Sequence, residues 1–216
     1  EYDNIGKVRN DGLEITLNTV NIDRGSFRWT SDFNISFNRN RVLALAKGEE
    51  TYLSKVSFTG NFNNSNLYIA RIGEPMAQFY GVIWDGVYGY EDFDQTPSGP
   101  YTLKPGVPTN GNDRSNIQPG DIKYVDINGD LVVNDADRVV IGRCLPIHTG
   151  GFNNNFTYKN LTLNVFLQWS YGNDIYNANR LVFEGNFSNR SINQYSSYVD
   201  RWSPENPDSR NHRTGG

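Results

Sequence analysis

Residues 27–38 alternate between apolar and polar side chains over twelve positions. Ser31 is the exception among the odd positions, which otherwise carry Phe27, Trp29, Phe33, Ile35 and Phe37. A period of two predicts a β-strand with one apolar face and one polar face. At about 3.3 Å per residue the strand is about 40 Å long. Tilted by about 45°, it rises about 28 Å, which is close to the apolar band of roughly 25 Å on an outer-membrane barrel.

The same alternation and the turn signals predict six antiparallel strands, near residues 12–20, 27–38, 66–73, 78–90, 150–158 and 161–171. Short turns alternate with three long loops, at 39–65, 91–149 and 172–216. A transmembrane barrel alternates short inner turns with long outer loops. The pattern therefore predicts an all-β fold in which residues 1–216 form part of one large transmembrane β-barrel.

Aromatic residues occur near both ends of these strands. Phe27, Trp29 and Tyr158 lie at the short-turn ends, whereas Phe37, Trp169 and Tyr171 lie at the long-loop ends. Two aromatic girdles are typical of a bilayer-spanning barrel, although aromatic residues favour strands in general. Six strands cannot close a barrel, since the smallest has about 8. We therefore expect the chain to be part of a larger barrel.

Composition narrows the partners and the function classes. The net charge is −4 and no basic patch is present, so nucleic acid is not an expected partner. Mean hydropathy is −0.63, which barrel strands permit because they alternate their apolar residues. The chain begins with Glu1 and lacks a charged-then-apolar leader, which favours a mature, processed or fragmentary chain.

No catalytic constellation is evident in the sequence. His148 and His212 are the two histidines, both in predicted loops, and Cys144 is the single cysteine. Cys144 lies near His148 in sequence, but no third group that would orient such a pair is apparent. We also find no nucleophile elbow, phosphate loop or zinc spacing. We therefore expect a protein that is not an enzyme.

One stretch of the second long loop has the spacing of a calcium-binding loop. Oxygen donors stand at positions 1, 3, 5, 9 and 12, and the backbone carbonyl of Val132 is available at position 7; the side chains are Asp126, Asn128, Asp130, Asn134 and Asp137. Leu131 occupies position 6, where glycine normally makes a sharp turn. Calcium is therefore one prediction, and a metal-free loop built on Asx turns is the other.

Several motifs together resemble the C-terminal part of the SusC/RagA-type TonB-dependent outer-membrane receptors. They are GLEITLNTVNI, FRWTSDFNISFNRNRVLAL, RIGEPMAQFYGVIWDGVY, PGDIKYVDINGD, NDADRVVIG, TGGFNNNFTYKNLTLNVFLQWSYGNDIYN and RWSPENPD. Leu131 departs from the family, which usually has glycine there. Arg143-Cys144 also departs, because Asn-Pro is more usual before Leu145-Pro146.

The resemblance implies a barrel of about 22 strands with an N-terminal plug in the bacterial outer membrane. It implies import of oligosaccharides or peptides, energised through TonB, with a SusD-like surface lipoprotein covering the outer face. We expect the plug domain, the TonB-contacting segment, the signal peptide and the final barrel strand to be absent from this chain. The chain would then be an internal barrel fragment.

In that family context the polar strand positions would line the pore. The candidates are Glu14, Thr16, Asn18, Arg28, Asp32, Asn34, Asn153, Asn155, Asn164 and Gln168. Aromatic residues of the outer loops, Tyr88, Tyr90, Phe93 and Tyr101, would either stack on sugar rings or pack the loop. The alternative to the membrane hypothesis is a soluble, calcium-dependent β-sandwich that binds carbohydrate or mediates adhesion.

Overall fold

The computed structural model describes residues 6–56, 65–95, 101–184 and 193–214. Its strands are β1 (Gly6–Arg24), β2 (Phe27–Leu45), β3 (Thr51–Val56), β4 (Ser65–Arg71), β5 (Gln78–Gly81), β6 (Trp84–Val87), β7 (Phe93–Gln95), β8 (Tyr101–Leu103), β9 (Ile122–Tyr124), β10 (Val139–Arg143), β11 (His148–Tyr158) and β12 (Leu161–Tyr171). One α-helix, α1, spans Ala178–Phe183. No helix in the described ranges is long and apolar enough to cross a membrane. The all-β prediction is confirmed.

The main sheet is antiparallel and has the strand order β1-β2-β11-β12. Two-residue turns at 25–26 and 159–160 connect β1 to β2 and β11 to β12. The two turns are neighbours, because the amide of Lys159 donates to the carbonyl of Ser26 at 2.9 Å. The long connection from β2 to β11 leaves from the opposite end of the sheet. The sheet thus has a short-turn end and a long-loop end, as predicted.

Both strands of the first hairpin are longer than the sequence predicts. β1 and β2 have 19 residues each, and their pairing continues from Gly12–Asn38 up to Gly6–Leu45. Residues 39–45 were predicted as the start of a long polar loop over 39–65, which is wrong. Val42 lies there, only 1% exposed, and its amide donates to the carbonyl of Glu74 at 2.9 Å. Tertiary contacts therefore extend the strand beyond its amphipathic segment.

A second sheet has the order β10-β5-β4-β3. Two strands that we predicted as barrel strands, 66–73 and 78–90, contribute to it as β4 and β5 instead of joining the main sheet. The single strand predicted over 78–90 is wrong: β5 ends at Gly81, and β6 (Trp84–Val87) pairs with β9 in another small sheet. Gly86 adopts a φ of 97° inside β6, which interrupts regular pairing.

The chain divides into two compact units. Unit 1 comprises residues 1–80 and 142–175, and unit 2 comprises residues 81–141 and 176–216. Unit 2 shows that the predicted loops at 91–149 and 172–216 contain ordered structure, including β7–β10 and α1. Its core is a cluster of Tyr88, Phe93, Leu103 and Ile117, each at most 5% exposed. Burial of these scattered apolar side chains stabilises a region that has no periodic pattern.

Candidate functional site

One face of the main sheet is almost entirely apolar. Residues that pair directly across antiparallel strands project to the same face, so the register assigns every side chain. Four successive rows cross the sheet: Leu13–Phe37–His148–Tyr171, Ile15–Ile35–Gly150–Trp169, Leu17–Phe33–Phe152–Leu167 and Thr19–Ser31–Asn154–Val165. Two further rows follow towards the short-turn end: Ile22–Trp29–Phe156–Leu163 and Phe27–Tyr158–Leu161. Leu161 is 74% exposed and Leu13 is 58% exposed. Within the described ranges this apolar face is therefore uncovered.

Aromatic rings are concentrated towards the two ends of this apolar face. At the long-loop end the ring of His148 lies 5.5 Å from Phe37 and 5.0 Å from Tyr171 between centroids. Towards the short-turn end Trp29 stacks on Phe156 at 5.5 Å. Of the three rows between them, one contains Trp169, the next contains Phe33 and Phe152, and the third contains no aromatic residue. Aromatic ends around an apolar middle match the profile of a membrane-facing barrel surface.

The fourth row of the apolar face carries polar groups that satisfy one another. Trp29 Nε1 and Ser31 Oγ both donate to Asn154 Oδ1, at 3.0 and 2.7 Å, and Asn21 Nδ2 donates to Ser31 Oγ at 2.6 Å. Ser31 is 7% exposed and Asn154 is 8% exposed. Mutual hydrogen bonding removes the large cost of placing bare polar groups in an apolar environment. Sequence reasoning missed Asn154; the break in alternation at Asn153-Asn154-Asn155 was the available signal.

The opposite face of the main sheet is polar and contains all the candidate pore-lining residues. Its rows are Glu14–Ser36–Thr149–Ser170, Thr16–Asn34–Gly151–Gln168, Asn18–Asp32–Asn153–Phe166, Thr30–Asn155–Asn164 and Asp23–Arg28–Thr157–Thr162. Phe166, which is 59% exposed, and Val20, which pairs with Thr30, are the large apolar side chains on this face. The structure thus gathers Glu14, Arg28, Asp32, Asn34, Asn153, Asn155, Asn164 and Gln168 on one surface, which we call the polar face.

Amide side chains form a ladder in the middle of the polar face. Asn164 Nδ2 donates to Asn153 Oδ1 at 2.8 Å, and Asn153 Nδ2 donates to Asp32 Oδ2 at 3.4 Å. Next to this ladder Gly151 leaves room for Asn34, since a Cβ at Gly151 would lie 3.1 Å from Asn34 Nδ2. Such a surface offers many donors and acceptors with little net charge, which suits hydroxyl-rich or amide-rich ligands.

The 126–137 loop lies in unit 2 and folds around its own backbone amides. Asp126 accepts from the amides of Gly129 and Leu131, both at 2.8 Å, and Asp130 accepts from Val132 at 2.8 Å. Leu131 adopts a φ of 65°, so the loop makes the left-handed turn that glycine normally supplies at this position. Leu131 therefore adopts a left-handed conformation although it carries a side chain.

Asp137 is the buried anchor of that loop. Its carboxylate is 0% exposed and accepts from the amides of Asn134 at 2.8 Å and Ile127 at 2.9 Å. These backbone hydrogen bonds, that of Asn134 first, hold the pKa of Asp137 below its ordinary value. In the described ranges no group of three acidic, histidine or cysteine side chains converges as a metal site. The calcium ligand set of Asp126, Asn128, Asp130, Val132, Asn134 and Asp137 stays a prediction.

The outer-loop aromatic residues mostly pack the protein. Tyr88 is fully buried, and its hydroxyl donates to the carbonyl of Pro108 at 2.7 Å; burial raises the pKa of that hydroxyl. Phe93 is 5% exposed and lies in the same cluster. Tyr88 and Phe93 are therefore core residues, and a sugar-stacking role for them is wrong. Tyr90 remains 38% exposed, with its ring 5.5 Å from Trp202.

The sequence of this chain is similar to those of several curated proteins. The chain is 33% identical over 206 residues to TonB-dependent receptor P3 of Formosa agariphila, a match that covers 95% of this chain and 19% of the relative. It is 32% identical over 218 residues to TonB-dependent receptor P26 of the same organism, covering 100% of this chain and 20% of the relative. The chain is homologous to the TonB-dependent receptors.

SusC of Bacteroides thetaiotaomicron is a more distant relative of this chain, 22% identical over 201 residues that cover 90% of the chain and 17% of SusC. No protein-family model matches. Among solved structures, the RagAB peptide transporter superposes with a TM-score of 0.69 at 18% identity, covering 100% of the segment and 21% of that chain. The segment spans about one fifth of the length of the curated relatives that it matches.

His148 of this chain is engaged in aromatic packing, and Cys144 is partly buried. Trp169 Nε1 lies 3.2 Å from His148 Nδ1, within hydrogen-bond distance, and the His148 ring stacks on Tyr171. Burial raises the pKa of the Cys144 thiol, with a further contribution from Asp174. A raised thiol pKa disfavours the reactive thiolate. The relatives are receptors by name, which agrees with the expectation that the segment is not an enzyme.

Proposed function

We propose that this segment forms part of the barrel wall and the outer loops of a bacterial outer-membrane importer that takes up glycans or peptides. The observation that supports the proposal best is the contrast between the two faces of the main sheet. One face is apolar and uncovered in the described ranges, with aromatic ends, and the other is polar throughout apart from Phe166 and Val20. A strand that separates lipid from a water-filled lumen requires this alternation.

The length of the sheet supports the same assignment. β11 and β12 have 11 residues each. At about 3.3 Å per residue and a tilt of about 45°, they rise about 26 Å, which matches the apolar band of roughly 25 Å. On this basis the short-turn end of the sheet faces the periplasm and its long-loop end faces the exterior.

The polar face would line the lumen in this arrangement. Asn34, Asn153, Asn155, Asn164 and Gln168 supply amides, and Glu14, Arg28 and Asp32 add charges of both signs. Amide and hydroxyl groups pair equally well with sugar hydroxyls and with peptide backbone groups. The chemistry of this face is therefore compatible with both substrate classes that the relatives suggest. RagAB is described as a peptide transporter.

The partners follow from the same proposal. Energy would reach the barrel from TonB through a region outside this segment, and a SusD-like surface lipoprotein would cover the outer face. The name SusC of one relative and the RagAB pair among the structural neighbours support a lipoprotein partner. Co-purification of the full-length receptor with a lipoprotein, before and after deletion of unit 2 residues 101–141, tests that assignment. An unchanged complex after the deletion would place the partner contact elsewhere.

Neighbouring cysteines on β12 test the membrane assignment directly. Leu163 projects to the apolar face and Asn164 to the polar face. In the full-length receptor in outer membranes, Leu163→Cys should react with a lipid-soluble maleimide and resist a charged, water-soluble one. Asn164→Cys should show the opposite preference. Equal labelling of both positions by the water-soluble reagent would contradict a lipid-facing surface.

Transport requires a separate experiment. Cells that carry the full-length receptor should take up a labelled oligosaccharide or peptide from a mixed panel, and loss of the receptor or of TonB should abolish that uptake. Uptake of the whole panel without the receptor would contradict the proposal. The class of the compound that depends on the receptor identifies the substrate.

A further inference from the structure

Three arginines lie at the long-loop end of the hairpin formed by β1 and β2, directly beyond the apolar face. Arg39 pairs with Asp11, and Arg9 pairs with Arg41, in the two rows that follow Leu13–Phe37 towards the long-loop end. The register places these rows on the same side of the sheet as Leu13 and Phe37. Arg9, Arg39 and Arg41 are all exposed. We refer to these three residues as the arginine patch.

The height of the arginine patch matches the headgroup layer of a bilayer. Arg39 stands two residues and Arg41 four residues beyond Phe37 along β2. At about 3.3 Å per residue and a tilt of about 45°, these positions rise about 5 Å and about 9 Å above the aromatic row. The polar headgroup region adds about 5–8 Å on each side of the hydrocarbon core. The guanidinium groups would therefore project at the level of lipid headgroups.

The charge of the patch is not balanced by the protein in the described ranges. Arg9 Nε lies 2.8 Å from Asp11 Oδ2, and no ion pair is seen there for Arg39 or Arg41. Arg9 and Arg41 face each other directly across the two strands. Like charges in such a pair destabilise a sheet unless an anion neutralises them. Asp11 balances Arg9, so among the described residues Arg41 is the member of this opposed pair that has no ion-pair partner.

A cavity lies beside the patch where β11 begins. It has a volume of about 550 Å³, and its lining includes Asp11, Phe37, Arg39, Arg143 and Leu145. Arg143 adds a second exposed guanidinium, while the carboxylate of Asp174 accepts from the Arg143 backbone amide at 2.9 Å. Guanidinium groups bind phosphate oxygens with two parallel hydrogen bonds. A lining that combines Phe37 and Leu145 with Arg39 and Arg143 fits a ligand with an acyl portion and a phosphorylated head.

We propose that the arginine patch and this cavity bind the phosphorylated headgroup of a lipid in the outer leaflet. This inference rests on the proposed function, because it needs the apolar face to lie in the membrane. The lipid phosphate neutralises Arg39 and Arg41 and separates the opposed charges of Arg9 and Arg41. Its acyl chains then lie along the aromatic row of Phe37, His148 and Tyr171.

Lipid titration of the purified full-length receptor tests the proposal. The probes are detergent micelles doped with diphosphorylated lipid A, the same micelles with lipid A stripped of both phosphates, and sodium phosphate alone. We expect saturable binding of the phosphorylated lipid, weakened about 10-fold or more in R39Q/R41Q. R39K/R41K keeps the charges and should lose less. R180Q/R210Q, which removes two arginines from unit 2, should bind like the unmodified receptor.

Two results would overturn the inference. One is equal affinity of R39Q/R41Q and the unmodified receptor for diphosphorylated lipid A. The other is that the receptor binds the stripped lipid as tightly as diphosphorylated lipid A, or that sodium phosphate alone, at the same concentration as the lipid, displaces the lipid from the receptor. The Leu163→Cys labelling experiment separates this failure from failure of the proposed function. If Leu163→Cys resists the water-soluble maleimide while R39Q/R41Q keeps its lipid affinity, the barrel assignment stands and only the headgroup site is contradicted.

Discussion

Phe33 and Asn34 are neighbours on β2 that project to opposite faces of the main sheet. Phe33 lies in the middle row of the apolar face, with its ring 6.0 Å from Trp169. Phe33→Arg should cost roughly 2–4 kcal/mol of stability, because it places a charge near the middle of the bilayer. Asn34→Arg should cost far less. Denaturant unfolding of the full-length receptor in bilayers measures both, and equal tolerance would contradict the assignment of the two faces.

Leu131 is strained at the centre of the 126–137 loop. Its φ of 65° is a left-handed conformation, which costs a residue with a side chain roughly 1–2 kcal/mol. Leu131→Gly should stabilise the loop by about 0.5–1 kcal/mol, after allowance for the greater freedom of glycine in the unfolded chain. Hydrogen exchange of the loop amides measures the change. Leu131→Ala keeps the Cβ and should bring no such gain; an equal gain would place the cause elsewhere.

At the scale of the element, the same loop should respond to pH through Asp137. Backbone amides lower the pKa of this carboxylate in the folded state. The charged form therefore stabilises the loop above the unfolded pKa, and this contribution disappears as pH falls through the lower, folded value. The window lies below about pH 4.

Asp137→Asn provides the measurement for that pH dependence. The variant should be less protected than the parent in hydrogen exchange at Ile127 and Asn134 near neutral pH, after correction for intrinsic rates. The difference should shrink as the parent carboxylate is protonated. A constant difference over the whole range would show that the carboxylate charge does not anchor the loop.

Calcium binding is a second prediction for this element. Titration of the receptor with CaCl₂ in a calorimeter should release or absorb heat and raise the melting temperature relative to a chelated sample. Asp130→Asn replaces the carboxylate at position 5 with a neutral amide and should weaken the effect. Asp135→Asn changes a carboxylate outside the ligand positions and should not. If CaCl₂ produces neither heat nor a change of melting temperature in the parent protein, the loop is the metal-free structure built on Asx turns.

At the scale of the whole molecule, the uncovered apolar face decides how the isolated chain should behave. Leu161, Leu163 and Leu167 are 74%, 59% and 58% exposed on one continuous surface. Without lipid, detergent or the rest of a barrel, this surface and the outer edges of β1 and β12 should drive association. The 216-residue chain should therefore aggregate in plain buffer. A monodisperse sample with cooperative melting would favour the soluble calcium-dependent β-sandwich instead.

The sequence alone determined the main sheet and the chemistry of its faces. Alternation follows from the backbone, since successive side chains of a strand point to opposite sides. The odd-numbered positions of 27–37 and 161–171, apart from Ser31, could therefore be assigned to an apolar face before any pairing was known. The candidate pore residues, from Glu14 to Gln168, followed from the same rule and lie together on the polar face. Their role in transport remains to be tested.

Only the tertiary structure decided where the rest of the chain lies. Tyr88 and Phe93 became core residues through contacts with Leu103 and Ile117, which are distant in sequence and follow no period. β2 continues to Leu45 because Val42 is held by the backbone of residues 73 and 74. Asn154 is satisfied on an apolar face because β2 brings Ser31 and Trp29 to it. Local pattern fixes which way a side chain points, whereas burial and polar satisfaction depend on partners that only the folded chain supplies.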